Sequence, residues 1–290
     1  MFAVLTQQLG VGFSMESLKV MLKAEVGWCE SEPLPLQLME LNYKTYGQGE
    51  PLLILHGLFG TLDNWQTIAK KLADYYTVYV PDLRNHGRSP HLPDMDYPIM
   101  AEDLKAFMEA HWMFKAHIIG HSMGGKVAMQ FALHYPDMTD KLIVVDIAPK
   151  AYAGGHDEIF DALLALDLDT ISEREDADAF LETRIPDKGV RQFLMKNLTR
   201  NKAGGYEWKM NLPALVARYP DILAPVDGDA FNGPTLFLRG ELSNYVLDSD
   251  LPDIRKLFPN AELDTVPGAG HWVHADQPVG LLEQVMVFLK

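Results

Sequence analysis

From about Met39 onward, short apolar runs alternate with stretches of helical spacing. Leu52-Leu53-Ile54-Leu55 is an unbroken apolar run of strand length, and residues 63–75 carry the 3.6-residue period of a helix. Thr77-Val78-Tyr79-Val80 reads as a second strand and residues 100–112 as a second helix. His117-Ile118-Ile119 leads into a helix that runs to Tyr135-Pro136, and Leu142-Ile143-Val144-Val145-Asp146 forms the next strand. After a long interval, Thr235-Leu236-Phe237-Leu238 and residues 261–266 resume the strands, and residues 279–289 close the chain as a helix. Alternation at Met39-Glu40-Leu41-Asn42-Tyr43-Lys44 suggests an edge strand. This order predicts an α/β fold: a mostly parallel central sheet with helices on both faces.

The interval changes character. Residues 151–231 hold no strong strand signal but carry helical stretches at 157–166, 175–183 and 188–198, punctuated by Gly204-Gly205 and by Pro213, Pro220 and Pro225. An insertion of that kind between late strands predicts a small helical cap over the sheet edge. The expected organisation is therefore a core of residues 38–150 and 232–290, a helical cap of residues 151–231, and an N-terminal extension of residues 1–37. Within that extension, residues 17–26 suggest a short amphipathic helix and Glu32-Pro33-Leu34-Pro35 a linker. No function attaches to it, and there are no internal repeats.

Composition narrows the function. Hydrophobic residues make up 48% of the chain, enough for a sizeable core, which excludes a disordered protein. The net charge of -15 argues against nucleic-acid binding, which needs clustered lysine and arginine. With Cys29 as the single cysteine there can be no internal disulfide or cysteine-rich zinc site, and a reducing, cytoplasmic setting is expected. No apolar run approaches the ~20 residues of a membrane span. Met1-Phe2-Ala3-Val4-Leu5 lacks a basic region ahead of it, so no signal peptide is expected.

The most informative motif is Gly120-His121-Ser122-Met123-Gly124, a G-x-S-x-G pattern set between a strand and a helix. In that context the serine sits on a sharp elbow and the two glycines let strand and helix approach closely, which makes Ser122 the candidate nucleophile. An alcohol needs a general base at neutral pH. His271, in Gly268-Ala269-Gly270-His271-Trp272 after the last strand, is the best candidate, ahead of the nearby His274. The order serine, acid, histidine is that of α/β-hydrolases. Their acid usually follows the strand at 235–238, but Ser243 stands where an aspartate is expected. Asp146, at the end of the preceding strand, is therefore favoured, with Glu241, Asp248 and Asp250 as alternatives. The backbone N–H groups of Leu58 and Met123 are the candidate oxyanion donors. His56 and His86 read as loop organisers, and His121 as structural or pocket-lining.

With these residues placed, the chain resembles the α/β-hydrolase superfamily. Five segments in register are similar to the bacterial YbfF-type esterases: His56-Gly57-Leu58-Phe59-Gly60, Asp82-Leu83-Arg84-Asn85-His86-Gly87-Arg88-Ser89, Gly120 to Lys126, Asp146-Ile147-Ala148-Pro149 and Gly268 to His274. The resemblance runs from about Met39 to the C-terminus and leaves the N-terminal extension outside. It implies that Asp146 is the acid and that Ser243 hydrogen-bonds beside it as a fourth member. It also implies a small helical cap and hydrolysis of small-molecule acyl esters or acyl-CoA thioesters. Phe160, Phe180, Phe193 and Trp208 are candidate walls of the acyl pocket. The expected chemistry is acyl transfer to water through Ser122, without metal or organic cofactor. Ser122 disfavours dehalogenase and epoxide hydrolase chemistry, both of which need a carboxylate nucleophile. Carbon–carbon bond hydrolases, cofactor-free haloperoxidases and a non-catalytic binding homologue stay open as alternatives.

Overall fold

The computed structural model describes residues 39–290. The extension at 1–37, with its expected helix, linker and Cys29, lies outside the described residues. Seven strands form the main sheet: β1 (Tyr43–Tyr46), β2 (Glu50–Leu55), β3 (Tyr76–Pro81), β4 (Ala116–His121), β5 (Thr139–Val145), β8 (Thr235–Gly240) and β9 (Ala261–Val266). A separate antiparallel ribbon pairs β6 (Leu198–Arg200) with β7 (Tyr206–Trp208). The spatial order of the sheet is β1-β3-β2-β4-β5-β8-β9, parallel throughout except at the β1 edge.

Parallel strands covered on both faces must be apolar on both sides, which is why their sequences show unbroken runs rather than alternation. Leu53, Leu55, Ile118, Val144 and Phe237 enter one core, while Leu52, Ile54, Ile119, Ile143, Val145, Leu236 and Leu238 enter the other. The first face is covered by α2 (Tyr97–Ala110) and α3 (Met123–His134), the second by α1 (Gln66–Leu72) and the C-terminal helix (Pro278–Leu289). Each fully buried Leu or Ile of these strands stabilises the fold by about 1.5–3 kcal/mol relative to exposure.

Element ends depart from the sequence expectation where capping outweighs hydrophobic spacing. The helix expected at 100–112 starts earlier, at Tyr97, because the Asp96 side chain accepts a hydrogen bond from Ile99 N (2.8 Å) and Pro98 suits a first turn. It ends at Ala110, with Trp112 left-handed at φ 56°. The helix expected at 63–75 opens as a 3₁₀ turn, Leu62–Trp65, before α1.

Between β5 and β8 the chain makes a helical excursion. It holds α4 (Asp157–Ala165), α5 (Arg174–Glu182), α6 (Lys188–Met195), the β6–β7 ribbon, α7 (Leu212–Ala217) and α8 (Tyr219–Leu223). The ribbon has no counterpart in the sequence reading, because two three-residue strands are too short to show a period. Asn201 closes its turn by accepting from Ala203 N (3.0 Å) and Gly205 N (3.1 Å). Specific bonds tie the excursion to the sheet loops. Asn197 Nδ2 donates to Phe59 O (2.6 Å), Asn211 N to Asn85 O (2.9 Å), and the Tyr97 hydroxyl to Ile222 O (2.5 Å). Its own interior is organised by Arg191, nearly fully buried, which donates to Asp178, Glu182 and the carbonyls of Ile185 and Pro186. Residues 39–290 form one compact unit, and no helix among them is long and apolar enough to cross a membrane.

At the β4–α3 junction two backbone segments approach too closely for any side chain. A Cβ on Gly120 would lie 2.2 Å from Gly124 O, and a Cβ on Gly124 would lie 2.4 Å from His56 O and 2.5 Å from Leu55 O. These are backbone atoms, which cannot swing away. Gly124→Ala is therefore expected to destabilise the protein by about 1–3 kcal/mol, as overpacking does. Chemical denaturation measures this, and an unchanged midpoint would contradict the close approach.

Candidate active site

Ser122 follows the last residue of β4 with φ 51° and ψ −121°, a conformation that L-residues adopt only under constraint. Both sides of the turn are held: Ser122 N donates to Val145 O (3.0 Å), and Lys126 N donates to Ser122 O (3.1 Å) as α3 begins. The side chain is thereby lifted off the end of the sheet. The Gly57 loop closes in from β2, where a Cβ would come within 3.2 Å of Ser122 Cβ.

The Ser122 hydroxyl lies 3.1 Å from His271 Nε2, and His271 Nδ1 lies 2.8 Å from Asp146 Oδ2. A single tautomer satisfies both contacts: Nδ1–H donates to the carboxylate, and Nε2 accepts from the hydroxyl. Asp146 is fully buried and, like Ser122, sits at positive φ (50°). Its carboxylate also accepts from Gly240 N (3.0 Å) and from the Ser243 hydroxyl (2.5 Å). Three donors from two loops thus satisfy a charge that would otherwise be costly to bury. The alternative acids are engaged elsewhere. Glu241 accepts from Gly268 N (2.8 Å), Asp248 pairs with Arg239 (2.8 Å) at the surface, and Asp250 pairs with Lys150 (2.7 Å).

The loop carrying His271 is braced along its length. Gly268 turns at φ 70°, Gly270 N donates to Asp276 Oδ2 (2.9 Å), and His121 Nε2–H donates to His271 O (2.8 Å). A Cβ on Gly240 would meet Gly270 O at 2.2 Å, so β8 presses directly against this loop. Tyr245 stacks on the imidazole of His271 with ring centroids 3.8 Å apart and planes 18° apart. Tyr245 N in turn donates to Ser243 Oγ (3.3 Å), and its carbonyl accepts from the Tyr152 hydroxyl (2.8 Å). This aromatic contact escaped the sequence reading, since a single tyrosine in a polar loop carries no periodic signal.

The other histidines near Ser122 are neutral supports. His56 donates from Nδ1 to Gly57 O (2.8 Å) and accepts from Leu83 N (3.0 Å), and burial pushes its pKa down to about 4. His86 donates to Arg84 O (2.9 Å) and accepts from Phe59 N (3.3 Å); burial, then His56, lowers it to about 3. His274 stacks on Trp65 (4.5 Å, 18°) and makes no hydrogen bond to Ser122, and burial, then His271, lowers it to about 3. His121 is held well below the ordinary range by burial and by neighbouring His271.

Among the described residues, the N–H groups of Leu58 and Met123 donate no hydrogen bond within the protein. Met123 is the first residue of α3, where N–H groups have no intrahelical acceptor. Two cavities meet at Ser122. One, of about 370 Å³, is walled by His271, Trp272, Phe193, Val190 and Ile159. The other, of about 430 Å³, is walled by Met123, Lys126, Tyr97, Tyr152 and Tyr219. Leu58, Ser122, His156 and Tyr245 border both. Of the four aromatics expected in the pocket, only Phe193 lines it. Phe160 packs in the core against Phe59 and Tyr219, Phe180 lies under Arg184, and Trp208 belongs to the ribbon. Among the described residues, no three His, Cys, Asp or Glu side chains converge to hold a metal ion.

The comparisons with known proteins identify the fold and the family. The family model described as alpha/beta hydrolase fold matches residues 50–278. Esterase YbfF of Escherichia coli is 39% identical over 241 residues, covering 83% of this chain and 93% of that protein. The sn-1-specific diacylglycerol lipase ABHD11 of Danio rerio is 39% identical over 264 residues, covering 87% of this chain and 83% of that protein. Among solved structures, a marine microorganism esterase superposes with a TM-score of 0.85 at 44% identity, covering 86% of this chain and 99% of that one. The chain belongs to the α/β-hydrolase family, in its YbfF-type esterase branch.

The buried histidines make a pH prediction. Each is neutral in the folded protein but free to protonate near pH 6.5 once unfolded, so the unfolded chain binds more protons at mildly acidic pH. Stability therefore falls as the pH drops below about 6.5, with a slope of up to about 1.4 kcal/mol per pH unit for each such histidine. The loss continues down to the folded pKa, about 4 for His56 and about 3 for His86 and His274. In NMR titration of the native protein these three rings should not shift between pH 8 and 5. A native midpoint near 6.5 for any of them would refute its neutral, buried role.

Proposed function

We propose that this ester-hydrolysing enzyme cleaves carboxylic esters through an acyl-enzyme on Ser122, with His271 as general base and Asp146 as the orienting acid. The observation that carries the reading is the continuous relay from the Ser122 hydroxyl through His271 to a buried, fully satisfied Asp146. As the hydroxyl attacks the ester carbonyl, His271 Nε2 takes its proton, and Asp146 holds the Nδ1–H tautomer and stabilises the imidazolium. The carbonyl oxygen, now negative, takes the N–H groups of Leu58 and Met123. His271 then protonates the leaving alcohol, and water repeats the sequence on the acyl-enzyme. Ser243 orients the acid by donating to the Asp146 oxygen that faces His271. The helical excursion at 151–231 acts as the cap over the cleft.

Thioesters of the same acyl groups, including acyl-CoA, suit the same chemistry, since a thiolate leaves more readily than an alkoxide. The relatives named esterase and diacylglycerol lipase make acyl esters of small alcohols and of glycerol the natural assay panel. A single cysteine in 290 residues supports a reducing, cytoplasmic setting.

Ser122→Ala should lower kcat/KM for p-nitrophenyl esters by about 10³-fold or more and abolish labelling by a fluorophosphonate. A folded wild-type protein that does not react with that probe would reverse the nucleophile assignment. Asp146→Asn should cost about 10³–10⁴-fold in kcat, whereas Asp248→Asn should be nearly silent; the opposite ranking would make Asp248 the acid. Ser243→Ala removes one of three donors to the carboxylate and should cost only about tenfold. A loss equal to that of Ser122→Ala would place Ser243 in the bond-making step instead.

A further inference from the structure

Lys126 lies in the first turn of α3, four positions after Ser122, and both residues line the same cavity. It is 1% exposed, and its side chain lines the cavity that borders Met123 and Tyr152. Nζ donates to the carbonyls of Ala224 and Leu223 and faces the rings of Tyr152 (4.9 Å) and Tyr97 (5.4 Å). Among the described residues, no carboxylate lies within ion-pair distance of it. An ammonium has three N–H donors, and two carbonyls leave one for another acceptor.

The tyrosine hydroxyls around it are already engaged. Tyr97 donates to Ile222 O, and Tyr152 accepts from Ala148 N (2.9 Å) and donates to Tyr245 O. Tyr219 is bonded to His156 Nδ1 (2.7 Å). Lys150, the other cation of this lobe, is paired with Asp250. The lobe thus presents one buried amine with no counter-charge, one turn from the nucleophile, and an anion bound beside it would favour its protonated form. The absence of a counter-charge is also felt by the lysine itself, whose pKa burial lowers to about 7.

The two lobes differ in what they offer a substrate. His271 lines the Trp272 lobe but not the Lys126 lobe, whereas Leu58 and Ser122 border both. Under the serine-esterase reading, on which this inference rests, His271 protonates the leaving group, and its place in the Trp272 lobe assigns the leaving group to that side. The acyl portion then extends past Met123 toward Lys126. We propose that Lys126 is a specificity-determining residue that binds an anionic group, a carboxylate, at the far end of the acyl chain.

The test compares kcat/KM for three esters with the wild-type enzyme. Monoethyl adipate carries the carboxylate on the acyl end, and ethyl 6-methylheptanoate is its neutral isostere. The hexanoate ester of glycolic acid carries the carboxylate on the alcohol. Monoethyl adipate should exceed its isostere by about tenfold or more, the range of a charge-assisted hydrogen bond, and should exceed the glycolate ester as well. Lys126→Met should collapse the ratio between the first two esters, and Lys126→Arg should retain most of it. Fluorophosphonate labelling of Ser122 reports whether each variant keeps a folded site. If Lys126→Met does not fold, the wild-type ratios decide alone. Equal wild-type rates on the acyl carboxylate and its isostere, or a preference for the glycolate ester, would overturn the inference while leaving ester hydrolysis intact. So would a Lys126→Met protein that loses both ethyl esters in equal proportion, because that is the signature of a purely structural strut. Failure to hydrolyse any of the three, or simple p-nitrophenyl esters, would defeat the hydrolase reading itself and this inference with it.

Discussion

The carboxylate of Asp146 is fully buried, and a buried anion is tolerated only when its oxygens are satisfied. Its donors come from the end of β8 (Gly240 N), from the loop that follows (Ser243), and from the loop after β9 (His271). Those three groups converge because β5, β8 and β9 are parallel neighbours whose carboxyl ends are level. Val145 stands opposite Leu238, and Gly240 opposite Val266. A slip of one residue in either ladder would turn side chains to the other face and remove the donors. The sheet register and the proposed acid are therefore one constraint seen at two scales. Two backbone strains, at Ser122 and Asp146, are each held by the neighbouring strand: Ser122 N donates to Val145 O and Asp146 N to Leu238 O.

Around that charge the protein arranges neutrality. His56, His86 and His121 are fully buried and His274 is half-buried, and the loss of solvent lowers the pKa of each. A neutral imidazole can donate from one nitrogen and accept at the other, and His56 and His86 use both to pin the loops beside Leu58. A charged ring in any of these positions would compete with the proposed base for the field of Asp146. The amine of Lys126 lies on the opposite lobe, where carbonyls and aromatic faces surround it and no carboxylate pairs with it among the described residues.

Much of the central sheet was legible because buried parallel strands are written as contiguous apolar runs, and residues 52–55, 142–145 and 235–238 are such runs. The helical excursion was legible in its first three helices but not in α7 and α8, whose Pro213 and Pro220 occupy first turns rather than breaks, nor in the β6–β7 ribbon, whose pairing depends on a turn built by Asn201 rather than on any period. Helix ends followed caps, as at Asp96, more closely than they followed hydrophobic spacing.

By itself the sequence determined which residues have the chemistry for the site and the order in which they occur. A G-x-S-x-G turn, a strand-end aspartate and a glycine-flanked histidine can all be read one position at a time. Only the tertiary structure decided which partner each one meets. Ser122 and His271 are 149 positions apart, and Asp146 and His271 are 125 apart, so no local signal can couple them. The same holds for the stacking of Tyr245 on His271, for the carbonyls that receive Lys126 from nearly a hundred residues away, and for the choice of Asp146 over Glu241, Asp248 and Asp250 as the neighbour of His271. Each is set by where a sheet edge, a loop and a helix happen to coincide, and that coincidence is a property of packing.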